Sequence, residues 1–281
     1  MIHALVASAR GRLRHAGIPG DEADLDARLL AQFALGWSTE RFFVDANREP
    51  PPGFAAQFES LIARRAAREP FAYIVGRQEF WRLEFVVTPA VLIPRPETEV
   101  IVEAFLARMD PAAPLRVADI GTGSGCLAVA LAHDRTSVHV VATDMSDEAL
   151  AVARQNAVRL GVENRIEFHR TDLLDGVAGA FDAIVSNPPY VRDADRADIQ
   201  EEVRFEPADA LFAGADGLDV IRRLLPAVAA RLTSGGTLLF EIGFGQGDAV
   251  AELISTTAGL RMSELKSDLQ GIPRVAIAER M

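Results

Sequence analysis

Four consecutive residues, Asn187-Pro188-Pro189-Tyr190, close an apolar run, Phe181 to Ser186, whose centre at Ala183 to Val185 reads as a buried strand. Burial alone requires only apolar side chains, yet this strand delivers a carboxamide, two rigid rings and a phenol to its carboxyl end. Neither proline has an N–H, and Pro188 biases Asn187 towards extended backbone, so the carbonyl groups here lack local partners. The side-chain oxygen of Asn187 and the carbonyl of Pro188 are therefore placed to grip both hydrogens of one planar NH2 group. Pro189 stiffens the turn, and Tyr190 is set to cover the face of that group. Asn-Pro alone is a common turn; the residues upstream make the chemical reading the stronger one.

A strand over 116–120 runs into Gly121-Thr122-Gly123-Ser124-Gly125, and an apolar helix starts at Cys126. A dinucleotide fingerprint would place its third glycine where Cys126 stands, which disfavours a pyrophosphate. Small residues at a helix N-terminus still let a carboxylate approach backbone N–H groups. Asp144 ends the next strand about twenty residues on, where an acid accepts ribose hydroxyls. Asp172 follows the strand after that, in line for an adenine edge. Amino-acid end, ribose and adenine together describe S-adenosylmethionine, and an NH2 grip beside it describes methyl transfer to nitrogen.

These residues need a scaffold, and the hydrophobic periods describe one. Strand and helix signals alternate from about Leu115: strands at 116–120, 138–143, 166–169 and 183–185, a helix at 147–160 capped by Ser146, then a helix at 217–232, a strand at 237–242, a helix at 248–257 and two closing strands through Leu265 and Val275. Such alternation predicts a doubly wound α/β sheet with ligands at the carboxyl ends of its strands. Before it, apolar residues at helical spacing between Ile2 and Arg68 predict a small bundle. The aromatic and β-branched stretch from Pro70 to Thr88 predicts strands turning near Gly76 and Arg77. Paired prolines in Pro94-Arg95-Pro96 fix an extended segment before a helix begun by Glu97, Thr98 and Glu99.

A net charge of −11 argues against broad binding to a phosphate backbone. The single cysteine, Cys126, forms no internal disulfide, no Cys/His cluster has metal spacing, and no apolar run approaches a membrane span. A cytoplasmic protein without bound metal, membrane contact or direct nucleic-acid binding is expected.

Asp119-Ile120-Gly121-Thr122-Gly123-Ser124-Gly125, Asp144 and Asn187-Pro188-Pro189-Tyr190 resemble the class I methyltransferases that act on planar nitrogens. Glu79-Phe80-Trp81, the segment from Leu92 to Glu99, and Phe205-Glu206-Pro207 through Gly217-Leu218 narrow the resemblance to the HemK/PrmC-type peptide chain release factor N5-glutamine methyltransferases. The resemblance implies a Rossmann-like class I methyltransferase sheet with an N-terminal helical domain. Its substrate would be the Gly-Gly-Gln glutamine of class I release factors, its cofactor S-adenosylmethionine and its product S-adenosylhomocysteine. The expected organisation is a helical substrate-docking domain over 1–70, a β-hairpin linker over 71–92 and a methyltransferase domain over 93–281, acting as a monomer. Asn187, Pro188, Pro189 and Tyr190 would be catalytic; Gly121, Thr122, Gly123, Ser124, Gly125, Asp144, Asp172, Leu173 and Asn187 would hold the cofactor. Leu173 stands where relatives often carry an aromatic residue, which weakens stacking on adenine. Phe80, Phe85 and Arg95 remain open as candidates for the pocket wall. An adenine N6-methyltransferase would use the same grip on a flipped base, but lacks support from this charge. A ribosomal-protein glutamine methyltransferase is disfavoured by the helical domain and by residues 95–99, and a non-catalytic cofactor-binding module by the intact Asn187 to Tyr190.

Overall fold

In the computed structural model, which describes all 281 residues, the helical periods of the N-terminal region become five helices. These are α1 (Ile2–His15), α2 (Gly20–Leu35), α3 (Thr39–Asp45), α4 (Phe54–Ala66) and α5 (Phe71–Val75). Ile2, Val6 and Leu13 of α1 share a core with Leu30 of α2 and with Phe58 and Ile62 of α4. The unit they form spans Met1–Gly76 and takes in one distant piece of chain, Gln200–Phe205. Its most buried polar group explains how. Arg65, with a side chain 1% exposed, donates to Asp26 at 2.7 Å, to Glu22 at 2.6 Å and to Glu202 at 2.8 Å. Arg68 holds the other oxygen of Glu202 at 2.7 Å.

Residues 71–75 depart from the expected strand. Ala72, Tyr73 and Ile74 are buried in succession within one helical turn started by the fixed φ of Pro70, and Phe71, Ile74 and Val75 pack on the helical core. Burial against neighbouring helices outweighs the strand preference of aromatic and β-branched side chains. Gly76 closes that helix, and the turn of the hairpin lies later than expected, at Trp81-Arg82, between β1 (Arg77–Phe80) and β2 (Leu83–Val86). Both turn residues take left-handed backbone, with φ of 51° and 61°. Glu99 accepts from the Trp81 backbone N–H at 2.7 Å, and the indole N–H donates to Asp134 at 2.7 Å, which holds the turn without a glycine.

The hairpin belongs to the second unit, Arg77–Ile199 with Glu206–Met281. After a short 3-10 turn at Pro96–Thr98 come α6 (Glu99–Arg108), β3 (Leu115–Ile120), α7 (Cys126–Asp134), β4 (Val138–Asp144), α8 (Asp147–Arg159), β5 (Ile166–Arg170), β6 (Phe181–Ser186), α9 (Asp219–Ala229), β7 (Leu232–Glu241), α10 (Gly247–Thr256), β8 (Leu260–Ser267) and β9 (Pro273–Arg280). The sheet runs β5-β4-β3-β6-β7-β9-β8; its first five strands are parallel, and β9 runs antiparallel to both of its neighbours, β7 and β8. Strand residues alternate between two buried faces. Val117, Ala183, Val185 and Leu239 join the core that includes Leu127, Leu131, Ile101 and Phe105, while Ala118, Ile184, Leu238 and Phe240 join Ile221, Leu224 and Ile254. No helix is long and apolar enough to cross a membrane.

Asn156 of α8 ties three parts of this unit together. Fully buried, it accepts from Val86 N at 2.7 Å and donates to the carbonyls of Val86 and Ser124, each at 2.9 Å. Asn156→Ala leaves those backbone groups unpaired and is expected to cost roughly 2–3 kcal/mol. Urea unfolding reads this as a lower midpoint at unchanged slope; a loss below about 1 kcal/mol would show that the three groups find other partners.

Candidate active site

Parallel register brings four strand ends to one edge. Ile120 of β3 lies opposite Thr143 of β4 and Ser186 of β6, and Ser186 lies opposite Phe240 of β7. The residues that follow, Gly121, Asp144, Asn187 and Glu241, therefore emerge side by side. The chain leaves β3 towards β4 and leaves β6 towards β7, so the order reverses between β3 and β6. That reversal opens the crevice in which α/β sheets bind ligands.

The glycine loop is built by its neighbours. Gly121 and Thr122 both donate their N–H to the Thr143 carbonyl at 2.9 Å, and Gly123 donates to Asp144 Oδ2 at 2.9 Å. The other Asp144 oxygen accepts from Ser146 N at 2.9 Å, so its carboxylate is fixed while retaining free lone pairs. Gly121 and Gly123 have left-handed backbone, φ 71° and 54°, and a Cβ at either would meet nothing within 4 Å. The backbone there can thus come close to a ligand, although the N–H groups of Gly121, Thr122 and Gly123 are already spent on Thr143 and Asp144 and are not free for the carboxylate expected of them. Gly125 is glycine for a second reason: a Cβ there would lie 3.1 Å from that of Ala153, where α8 presses on the loop. Ser124 is buried and Cys126 already belongs to α7.

Beneath the loop, Asp119 is buried; its Oδ2 accepts from Thr122 Oγ1 at 2.6 Å and from Ala128 N at 3.1 Å, while Oδ1 has no partner. Burial pushes its carboxyl up to about 7, against the pull of Thr122 and Ala128 and with a smaller push from Asp144. A buried carboxyl oxygen without a partner, under approachable glycine peptides, fits a ligand that carries a cationic amino-acid end.

Asp172 and Leu173 follow β5. The Asp172 carboxylate is partly exposed and pairs with Arg223 of α9, and Leu173 takes left-handed backbone at φ 50° while packing on the core beside α9.

On the other side of the crevice, Asn187 donates from Nδ2 to Thr98 Oγ1 at 3.0 Å. Thr98 donates its proton to Glu241 Oε2 at 2.5 Å, and Tyr190 donates to Glu241 Oε1 at 2.8 Å. Burial pushes the Glu241 carboxyl up, opposed by the Thr98 and Tyr190 hydroxyls. The Tyr190 phenol is pushed up strongly by burial and by Glu241, and stays neutral. Its backbone is locked as well. The Tyr190 carbonyl accepts from Gln246 Nε2 at 3.1 Å and lies so close to Gly217 that a Cβ there would come within 2.2 Å of it.

Asn187, Pro188, Pro189 and Tyr190 thus stand together at one strand end, and the glycine loop stands with Asp144 at the neighbouring ends. Sequence reasoning leaves Thr98 as a helix start and Glu241 unassigned. The signal for Glu241 is an acid inside the apolar run Leu238-Leu239-Phe240-Glu241-Ile242. Phe80 and Phe85 are buried, edge to face at 6.1 Å, in the core that includes Ile101, Phe105 and Leu127, and present no surface to a pocket. Arg95 pairs with buried Glu206, whose other oxygen accepts from Ile93 N at 3.0 Å, so these residues brace the extended segment before α6.

The model of the PrmC N-terminal domain matches residues 4–76, and that of the methyltransferase small domain matches residues 97–227. The chain is 44% identical over 258 residues to the release factor glutamine methyltransferase of Moorella thermoacetica, covering 90% of this chain and 91% of that protein. It is 45% identical over 268 residues to the release factor glutamine methyltransferase of Cereibacter sphaeroides, covering 95% and 94%. Among solved structures, a methyltransferase from Pyrococcus furiosus aligns with a TM-score of 0.53 at 18% identity, over 79% of this chain and 96% of that one. A 16S rRNA N2 G1207 methyltransferase of T. thermophilus, in complex with AdoMet and guanosine, aligns at 0.52 and 18% identity, over 73% and 50%. These two likenesses concern the fold alone. With relatives this similar along almost its whole length, the chain belongs to the release factor glutamine methyltransferase family.

Proposed function

We propose that this enzyme transfers a methyl group from S-adenosylmethionine to the side-chain amide nitrogen, N5, of the glutamine in the Gly-Gly-Gln motif of class I release factors. The observation that carries the reading is the Asn187 carboxamide, whose Nδ2 is committed to Thr98 at 3.0 Å and whose oxygen is left for a substrate N–H, one strand away from the glycine loop.

An amide nitrogen is a poor nucleophile because its lone pair is delocalised into the carbonyl. Asn187 Oδ1 and the Pro188 carbonyl accept its two hydrogens, which draws electron density to nitrogen and favours the pyramidal transition state. Pro189 holds that carbonyl in place, and Tyr190 covers the amide plane. Bound S-adenosylmethionine supplies an electrophilic methyl on its sulfonium. The peptides of Gly121, Thr122, Gly123, Ser124 and Gly125, with Asp119 beneath them, hold its amino-acid end; Asp144 accepts the ribose hydroxyls, and Asp172 and Leu173 meet the adenine. Positioning of this kind supplies on the order of 7–11 kcal/mol of barrier reduction. No strong base is needed, because the methylated nitrogen is acidic enough to release its extra proton to water. We assign the enzyme to the cytoplasm as a monomer without direct nucleic-acid contact, in keeping with a net charge of −11.

Mass spectrometry of a purified release factor incubated with enzyme and S-adenosylmethionine tests the reaction. One methyl on the Gly-Gly-Gln glutamine is the expected result; an unmodified release factor would overturn the reading and point to adenine or ribosomal protein.

The helical unit is the proposed dock for the release factor. On α3, Phe43 and Val44 are 67% and 77% exposed; Arg28 lies over the Phe43 ring at 5.5 Å and Arg41 over Trp37 at 4.5 Å. Aromatic and arginine side chains are enriched at interfaces. Replacing Phe43 and Val44 by serine is expected to raise KM for the release factor about 10-fold, with cofactor Kd unchanged. Equal shifts in both constants would refute the assignment.

A further inference from the structure

Of the two strand ends that flank Asn187, one leads into Gly121 and the other carries Glu241, which does not reach Asn187 directly. It reaches Thr98 at 2.5 Å and Tyr190 at 2.8 Å, one through each carboxylate oxygen, and Thr98 in turn meets Asn187 Nδ2 at 3.0 Å. Thr98 and Glu241 are each 1% exposed, so no solvent competes for these bonds. We propose that Thr98 and Glu241 are positioning residues that fix which end of the Asn187 carboxamide faces the substrate amide, by setting the direction of this hydrogen-bond chain. The inference rests on the function proposed above.

An ionised carboxylate only accepts. In the ionised state of Glu241, which its two hydroxyl partners favour against the push of burial, both hydroxyl protons, from Thr98 and Tyr190, therefore point at the carboxylate. With its proton committed, Thr98 Oγ1 offers only lone pairs, and only the NH2 end of Asn187 can answer them. Oδ1 is then turned the other way, as an acceptor for a substrate N–H. Without an acceptor-only partner, the Thr98 hydroxyl is free to turn its proton to Asn187 Oδ1. The carboxamide then flips and presents N–H donors to substrate N–H donors, which repel. A neutral glutamine at position 241 would be less costly to bury than a carboxylate. Its amide, however, accepts at one end only, so it cannot receive Thr98 and Tyr190 at two separate oxygens as the carboxylate does. Among the charges around Glu241, Arg274 favours the ionised state and Glu97 opposes it.

The test compares Thr98→Val, which keeps shape and removes the hydroxyl, with Thr98→Ser, which keeps the hydroxyl. Thr98→Val is expected to lower kcat for release factor methylation about 100-fold, as misplacement of a positioned group does. KM for the release factor and Kd for the cofactor stay within about 3-fold, because the lost interaction acts in the transition state. Thr98→Ser stays within about 3-fold of the unaltered enzyme in kcat. Equal losses in both variants, or a raised KM at unchanged kcat, would make Thr98 a packing residue and overturn the proposal. A second readout needs no turnover. The chain has four asparagines, so a 15N-asparagine spectrum resolves the Asn187 NH2 pair, identified by its loss in Asn187→Ala. In the unaltered enzyme and in Thr98→Ser one of its protons is shifted downfield by the bond to Thr98; in Thr98→Val that shift collapses. An Asn187 signal unchanged in Thr98→Val overturns the relay whatever the substrate. Failure of the unaltered enzyme to methylate a release factor overturns the proposed function instead, and the spectrum still decides on the relay.

Discussion

Asn187→Ala is expected to lower kcat for release factor methylation roughly 1,000-fold or more, about 4 kcal/mol of transition-state stabilisation, while calorimetric affinity for S-adenosylmethionine changes only a few-fold. The loss is large because the removed oxygen acts on the reacting nitrogen itself. With Asn187 gone, one amide hydrogen has no acceptor and the lone pair stays in the carbonyl. Cofactor affinity survives because the groups assigned to it are fixed from elsewhere: Asp144 by Gly123 and Ser146, the loop by Thr143, and Asp119 by Thr122 and Ala128. Turnover near that of the unaltered enzyme would rule out the carboxamide grip. A parallel collapse of cofactor affinity would instead make Asn187 a cofactor ligand first.

Arg65→Ala should carry the largest stability effect in the helical unit. Its guanidinium is enclosed with Asp26 and Glu202, whose side chains are 7% and 17% exposed, while Glu22 at 47% is mostly in water and contributes little. Burial already pushes the Asp26 carboxyl up in spite of the guanidinium beside it. Removing the cation leaves a buried carboxylate without compensation, at a cost of roughly 3–5 kcal/mol. For a unit of this size the melting midpoint should fall by more than about 10 °C. Thermal unfolding by circular dichroism measures it, and a shift under about 3 °C would mean that water enters the gap and solvates the acids. Replacing Arg65 and Asp26 together by apolar residues of similar volume should restore most of the loss, since the pair repays little beyond its own desolvation.

Legibility in the sequence varied with the range of the interaction. The strands and helices of the α/β unit were readable because local period and caps decide them: Ser146 accepts from Ala149 N at 3.1 Å as the N-cap it was read to be. Residues 71–75 were not, because three successive side chains are buried against α4 and α2, and burial by tertiary packing leaves no mark on the local pattern. The hairpin turn was misplaced for the same reason: Trp81 and Arg82 have no turn chemistry of their own, and the acids that hold them, Glu99 and Asp134, lie on α6 and α7. Arg65 looked like any helical arginine until Asp26 and Glu202 closed on it from 39 and 137 residues away.

The sequence by itself determined the chemical inventory: a carboxamide followed by two prolines and a tyrosine, a glycine loop lacking the third glycine of a dinucleotide site, and acids at strand ends. Covalent facts such as a missing N–H or a missing Cβ need no fold to be read. Only the tertiary structure decided which way the carboxamide points. That orientation depends on Thr98, 89 residues before Asn187, and on Glu241, 143 residues beyond Thr98. Asn187 and Glu241 stand close because parallel strands in register bring their ends to a single edge, and Thr98, in the 3-10 turn before α6, bonds to both; the direction of a hydrogen bond is a property of the pair, not of either residue.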